Sequence, residues 1–407
     1  MTVRIEAGLL IPGRGEPVEK GTVVLEGGRV AYAGPADSAP ATPDAEVTEV
    51  PTVMPGLWEC HGHFSGLPRP DLLAFVTEPT PRNAARAVSD MSRVLDGGVT
   101  SVREVGGLGL DIAPAVDDGT VRGPRIHGAG SVLSTTGGHG DIHNVPLDMV
   151  NHIDGFGTLC DGVPDCLRAV RLNLRRNARV IKVCASGGVM SEVDHPIHQQ
   201  FSDEELRAIV DEATRAERVV AAHCHGKPGI MAALHAGAKT IEHGTFLDEE
   251  AADLMAEKNA VLVPTRWIVN TLLTMEDALP PYAYRKILLV ADAHAQAMKI
   301  AVAAGVTIAM GTDMFISGAI HGRNSAEIPL LVDAGLSPLE AIEAATANGP
   351  LTLGPQAPES GQLREGFDAD VIAVDFNPLD EAALWGNPER ITHVWKGGTP
   401  EKQTPLA

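Results

Sequence analysis

Basic residues are scarce in this chain. Its 407 residues include 32 Lys and Arg against 53 Asp and Glu, for a formal net charge of −21. An acidic surface repels phosphodiester backbones and anionic lipid headgroups, so neither nucleic acid nor a membrane is an expected partner. The acidic residues are spread along the chain, which reads as solubility. No apolar run reaches the roughly 18–20 residues needed to span a bilayer. The opening stretch, Met1 to Ala7, has no basic segment followed by an apolar one, so no export signal is expected and the expected location is cytoplasmic. Paired cysteine knuckles are also missing. The five cysteines, Cys60, Cys160, Cys166, Cys184 and Cys224, are odd in number and form no C-x-x-C pair, so they read as reduced thiols. What is present is a globular composition, 44% hydrophobic and 21% charged, long enough for one barrel or two domains.

From Val3 to about Val50 the chain reads as short strands with turns between them: Val3–Leu10, Gly21–Leu25 and Arg29–Ala33, with Gly27-Gly28 as a hairpin signal. Two similar runs, Ala369–Asp375 and Ile391–Gly398, lie near the other end. The two termini are therefore expected to build one composite β-domain, residues 1–53 with 353–407, around an inserted domain of residues 54–352. The middle alternates strand with helix. Expected strands are Val53–Cys60, Thr100–Val105, Arg125–Ala129, Val180–Cys184, Val219–His223, Thr240–His243, Val261–Pro264 and Thr307–Met310. Amphipathic runs such as Pro81–Leu95, Asp203–Ala216 and Tyr284–Ala304 separate them, and Ser202 with Glu205 reads as a capping box. Eight strands alternating with helices predict an α/β fold, a (β/α)8 TIM barrel, whose chemistry belongs at the C-terminal ends of the strands.

The polar residues fall at those ends. Met54-Pro55-Gly56-Leu57-Trp58-Glu59-Cys60-His61-Gly62-His63 places two histidines one residue apart, and positions i and i+2 of a strand share a face. Lys182 lies in the fourth expected strand, His223 and His243 end the fifth and sixth, and Asp313 follows the eighth. Four imidazoles and a carboxylate suit zinc or a similar divalent ion without any thiolate. A lysine on an apolar strand is driven toward the neutral amine by burial. A neutral amine takes up carbon dioxide as an anionic carbamate able to bridge two cations; otherwise the ammonium reaches a loop carboxylate.

This set resembles the amidohydrolase superfamily, and the stretches Gly98–Arg103, Thr136–Asp141, Thr240–Gly244 and Gly311–Asp313 are similar to its prolidase and imidazolonepropionase-like branch. The resemblance covers nearly the whole chain and implies a flanking β-sandwich made from both termini. It further implies a binuclear centre of two divalent ions, zinc foremost, with His61, His63 and Asp313 on one and His223 and His243 on the other. Lys182, as N6-carboxylysine, would bridge them. Asp313 would act as proton acceptor and donor, and His139 would polarise the scissile carbonyl. The implied activity is hydrolysis of an amide bond in a dipeptide or N-acyl amino acid with a free carboxylate, ochratoxin-type amides among them. A small-molecule amide and further copies of the chain are the expected partners.

Some positions depart from the family pattern. Glu59 stands where an aspartate is common, and His225 stands where relatives often carry a tyrosine touching the substrate carboxylate. Arg266, just past the seventh strand, lies outside the pattern and is the expected carboxylate clamp, with Trp267 and Trp58 as apolar surface. Arg323 and Asn324 either touch substrate or brace their loop. Two rival readings share the scaffold: a mononuclear deaminase or cyclic-amide hydrolase of the imidazolonepropionase type, which Lys182 argues against, and a non-catalytic scaffold protein, which the complete ligand set argues against.

Overall fold

The computed structural model describes residues 2–150, 152–153 and 155–404. Four strands open the chain: β1 Thr2–Leu10, β2 Val18–Glu26, β3 Arg29–Pro35 and β4 Glu46–Pro55. The middle carries β5 Leu57–Gly62, β6 Val99–Glu104, β7 Arg125–Gly128, β8 Val132–Ser134, β9 Gly157–Leu159, β10 Ile181–Cys184, β11 Val220–Cys224, β12 Thr240–His243, β13 Val261–Val263 and β14 Thr307–Ile308. The chain closes with β15 Val371–Val374, β16 Ile391–Lys396 and β17 Thr399–Gln403.

The terminal strands do come together, but as one seven-stranded sheet rather than the two stacked sheets of the expected β-sandwich. Its order is β17-β16-β15-β4-β1-β2-β3, and among these pairs only β1 with β4 is parallel. Its inner strand β15, between β16 and β4, reads Val-Ile-Ala-Val and is buried throughout. Val371 and Ala373 face the sheet's own core with Ile5, Val53 and Trp395. Ile372 and Val374 face the opposite way, into a cluster with Met91 and Leu95 of the Thr80–Asp96 helix. A strand covered on both faces has no polar side to alternate with, which explains its unbroken apolar run.

The middle forms a parallel seven-stranded sheet, β14-β13-β12-β11-β10-β8-β9, and a three-stranded one, β5-β6-β7. Helices Asp203–Arg215, Lys227–Ala236, Glu249–Glu257 and Pro281–Ala303 join successive strands from β10 to β14. Ser202 closes the capping box with Glu205. One buried cluster draws Trp58, Val105, Ala221, Val263 and Ala309 from both sheets. Backbone hydrogen bonds run from Cys60 to Met310 at 2.9 Å and from Arg179 to Gly128 at 2.8 Å, linking β5 to the chain after β14 and β7 to the chain that leads into β10. No helix among the described residues is long and apolar enough to cross a membrane.

Two strand expectations need correction. The run expected to span Val53–Cys60 changes sheets at Gly56, whose N–H bonds Asp370 while Leu57 turns to Gly98. A Cβ at Gly56 would strike the Thr100 side chain, so only glycine passes there. The last strand stops at Ile308 because the Met310 N–H bonds Ala344 at the end of the Pro338–Ala344 helix. The strands β8 and β9, three residues each, were not foreseen, because runs that short lack a readable period.

Candidate active site

The site lies where β5, β10, β11, β12 and the chain after β14 end. His61 is buried on β5, and its Nδ1–H donates to the Glu242 carboxylate at 2.7 Å. Glu242 is gripped in turn by the Arg103 guanidinium at 2.7 Å to both oxygens, with Thr240 donating as well. Arg103 also donates to the Cys60 carbonyl at 2.6 Å, so β5, β6 and β12 are tied together directly beneath His61. Burial works against charge on Glu242, yet Arg103 and then His61 hold its carboxyl far below the usual range. His63, just past β5, donates its Nδ1–H to the Gly106 carbonyl at 2.6 Å.

A carboxylate or carbonyl only accepts, so both hydrogen bonds place a proton on Nδ1, and in the neutral ring the lone pair is then on Nε2. The His63 Nε2 lies 3.1 Å from Asp313 Oδ1, and the His61 Nε2 lies 3.6 Å from the same oxygen. Lone pairs on neutral imidazoles and a carboxylate repel when they meet with nothing between them; a shared cation removes the conflict. His61, His63 and Asp313 are near enough for one ion.

The second group sits across the cavity. His223 donates Nε2–H to the Gly187 carbonyl at 3.2 Å, which leaves Nδ1 free, 3.0 Å from the His243 Nε2. His243 is held from behind by Thr265 at 2.7 Å, and His225 by Thr245 at 2.7 Å. These three imidazoles, all buried, again lie within reach of one ion. A ligand histidine with its rear nitrogen tied to a fixed partner has its ring orientation and tautomer set in advance. Burial pushes His61 down to about 4, with Lys182 adding to it, and His225 down to about 3. Burial also keeps His223 and His243 well below their ordinary value. All are thus neutral donors at physiological pH.

Lys182 on β10 is buried, lines the same cavity and puts Nζ 3.3 Å from the His61 Nε2. Burial lowers its ammonium from the ordinary lysine value. For Asp313, burial works to raise the carboxyl, but His61, His63 and Lys182 outweigh it and keep it ionised. His243, Thr265 and Asp313 all sit at positive φ, 68°, 56° and 57°, where non-glycine residues are rare. Such outliers gathered at strand ends mark a site that the surrounding packing enforces. Glu59 shows how: it accepts from the backbone of His61 and Thr312, from the Thr312 hydroxyl at 2.6 Å, and from Asn324 at 2.7 Å.

The cavity has a volume of about 130 Å³ and opens to solvent. Beyond the polar group its walls are apolar: Leu67, Leu72, Phe75, Phe156, Met190 and Phe315. The rings of Phe75 and Phe156 touch, with centroids 4.6 Å apart. His139 lines the cavity too and stacks on His223 at 4.2 Å.

The expected substrate contacts fare differently. Arg266 does not face the cavity: its Nη1 donates to the Ala291 carbonyl on the Pro281–Ala303 helix at 2.7 Å. Arg323 is exposed and away from the cavity lining, while Asn324 braces its loop through Glu59. His225 joins the imidazole group rather than the cavity wall. Trp58 is fully buried beneath the site, its ring stacked on His127. Sequence reasoning passed over Arg103 and Glu242, although a charged residue on each of two apolar strands was itself the signal, since buried charges need partners.

Family comparison agrees with this geometry. Residues 52–400 match the model of the Amidohydrolase family. The chain belongs to that family, whose members are generally metal-dependent, and is an enzyme acting on amide C–N bonds. The ochratoxinase of Aspergillus niger is 44% identical over 413 residues, covering 97% of this chain and 85% of the relative. Its crystal structure superposes with a TM-score of 0.92 at 42% identity, covering 100% of this chain and 96% of that one. A crystal structure of a prolidase complexed with N-methylphosphonate-L-proline gives 0.92 at 32% identity, covering 99% and 100%. The imidazolonepropionase of Nocardia farcinica is 25% identical over 403 residues, covering 93% of this chain and 91% of the relative.

Proposed function

We propose that this protein is a binuclear metal-dependent amide hydrolase whose substrates carry a bulky apolar group beside the scissile bond. The observation that carries the reading is the pair of facing donor groups with lone pairs converging on one cavity, and a buried lysine on the same wall. His61, His63 and Asp313 would hold one divalent ion, most simply zinc. His223 and His243 would hold the other, with His225 a third imidazole in reach. Lys182, carboxylated by carbon dioxide, would bridge them. Such ions, when bound, polarise the substrate carbonyl and lower the pKa of water toward neutrality. Asp313 accepts the proton of the attacking water and passes it to the leaving amine. Phe75, Phe156 and Phe315 exclude water and receive the apolar group. A dipeptide or N-acyl amino acid fits this arrangement, in keeping with the names of the ochratoxinase and prolidase relatives.

The same reading takes residues 54–352 as a closed catalytic barrel and 1–53 with 353–407 as its companion domain. The backbone hydrogen bonds from Cys60 to Met310 and from Arg179 to Gly128, which join the two sheets, support closure. It places the enzyme in the cytoplasm, where five unpaired thiols are at home, and pairs it with further copies of itself. Metal analysis of protein purified without chelator, joined to a screen of N-acyl amino acids and dipeptides, tests it. Two ions per chain and turnover of aryl or long-chain acyl amides are expected. One ion, or deamination instead of amide cleavage, favours the mononuclear alternative and overturns the reading.

A further inference from the structure

The first turns of the Pro281–Ala303 helix hold down a loop of the active site, residues 187–194. The loop opens with two glycines that its packing requires. A Cβ on Gly187 would strike the His195 carbonyl, and one on Gly188 would fall inside the His139 ring. Two glycines in a row let the loop approach this closely, but they also give it conformational freedom that some contact has to remove. Lys286 supplies that contact. Its ammonium binds three carbonyls of the loop, Gly188 at 3.1 Å, Ser191 at 2.7 Å and Asp194 at 2.5 Å, and the Asp194 carboxylate at 3.2 Å. The Lys286 side chain is 12% exposed and that of Asp194 4%. Carbonyls and an ionised carboxylate only accept, so four such oxygens repel one another unless a positively charged donor sits among them.

Tyr282 lies four residues earlier on the same helix face, and its hydroxyl donates to the Met190 carbonyl at 3.3 Å. Val189 of the loop clusters with Ile287 and Val290 of the helix, and Met190 packs against that cluster. Met190 lines the active-site cavity, and with Leu72 it also lines a neighbouring polar groove to which Asp71, Asp141 and Glu192 belong. It stands as a partition between an apolar chamber and a polar one. We propose that Lys286 is a positioning residue that sets specificity: with Tyr282 it fixes the loop so that Met190 forms the wall against which the substrate's apolar group packs. Without the ammonium, the loop oxygens part, Met190 leaves the wall, and the apolar chamber opens into the polar groove. The consequence for substrates rests on the amide-hydrolase reading above, whereas the anchoring of the loop does not.

Lys286→Met keeps the stem and removes the ammonium, and two measurements on zinc-loaded protein need no turnover. Hydrogen–deuterium exchange of the amides in 187–194 should be about tenfold faster or more in the variant, the measure of one charge-assisted hydrogen bond. The neutral aryl probe 2-acetylnaphthalene, which has no amide to cleave, should bind about tenfold more weakly, the discrimination an apolar pocket draws from one methylene. Kinetics then compare N-acetyl-L-phenylalanine with N-(2-naphthoyl)-L-phenylalanine. The ratio of kcat/KM for naphthoyl over acetyl should fall about tenfold, mainly through KM for the naphthoyl substrate, while kcat for the acetyl substrate changes less than about threefold. A lysine that only stabilises the fold would lower both substrates alike. Unchanged exchange overturns the anchoring, and unchanged probe affinity with an unchanged ratio overturns the role in specificity. If wild type cleaves neither substrate while the variant shows faster exchange and weaker probe binding, the amide-hydrolase reading fails and the positioning role of Lys286 stands. Should Lys286→Met fail to fold, Tyr282→Phe removes only the Met190 contact. It should move exchange and probe affinity in the same directions, and no movement in either overturns the proposal.

Discussion

At the scale of single residues, Lys182 and Arg266 show how differently buried cations are used. Among the described residues Lys182 has no carboxylate in hydrogen-bond range; its Nζ lies 3.3 Å from the His61 Nε2. An ammonium there is favoured through space by Glu242 and Asp313 but hydrogen-bonds neither, whereas a carbamate anion between two cation sites would be compensated twice. Lys182→Ala is expected to fold but to bind less zinc and lose most turnover, with short-chain carboxylates restoring part of it. Metal content and rate measured together check this, and a variant holding two tight ions at near-normal kcat removes the bridge from the model of the site. Arg266 is satisfied by a helix carbonyl and by its position beside Glu327, which accepts the Arg266 N–H at 2.8 Å. Arg266→Met should therefore leave unchanged the ratio of kcat/KM for matched free-acid and carboxamide substrates. Its effect should fall on stability, by about 1 kcal/mol for one lost hydrogen bond. A collapse of the acid preference in this variant, measured by steady-state kinetics, would put the guanidinium back in the site.

At the scale of elements, the strand ends are held in register by a buried ion pair. Arg103 on β6 and Glu242 on β12 are both fully buried, and Glu242 alone orients the rear of His61. Removing one partner of such a pair leaves the other charged and uncompensated, which costs about 3–5 kcal/mol. Arg103→Met is expected to lower the melting temperature by that measure and to weaken zinc binding through the unmoored His61. Calorimetry on zinc-loaded protein checks the first part, and a chelator competition checks the second. Elements of this kind were legible in outline. The helices Asp203–Arg215 and Pro281–Ala303 emerged within a few residues of their expected ends, because their apolar stripe repeats over several turns. The β8 and β9 strands did not, being too short to show a period.

At the scale of the whole molecule, the six residues expected as metal ligands come from strands more than 250 positions apart, from His61 to Asp313. An ion bound by side chains from both parallel sheets stabilises only the folded arrangement, by RT ln(1 + [L]/Kd), about 2.7 kcal/mol at a hundredfold excess over Kd. Prolonged chelation should lower the melting temperature and abolish activity, and added zinc should restore both. Thermal scans with and without chelator check this, and an unchanged transition would mean that the fold does not depend on the metal.

What the sequence determined by itself was the order of secondary structure through the middle and the set of residues that meets at the strand ends. Both follow from local regularities: alternation within strands, the helical repeat, and the rule that chemistry collects where parallel strands stop. Direction, by contrast, was set by contacts between distant parts of the chain. The terminal strands joined as one sheet because β4 and β15 pair across more than 300 residues of chain, a register no local pattern encodes. Arg266 turned to Ala291, Asn324 turned to Glu59, and the apolar wall came from Leu67, Phe75, Phe156 and Phe315 instead of the expected tryptophans. The free nitrogen of each histidine was likewise set by a partner distant in sequence, Glu242 for His61 and Gly106 for His63. Side-chain direction in loops depends on which distant group satisfies each buried donor, and that is settled only when the chain has folded.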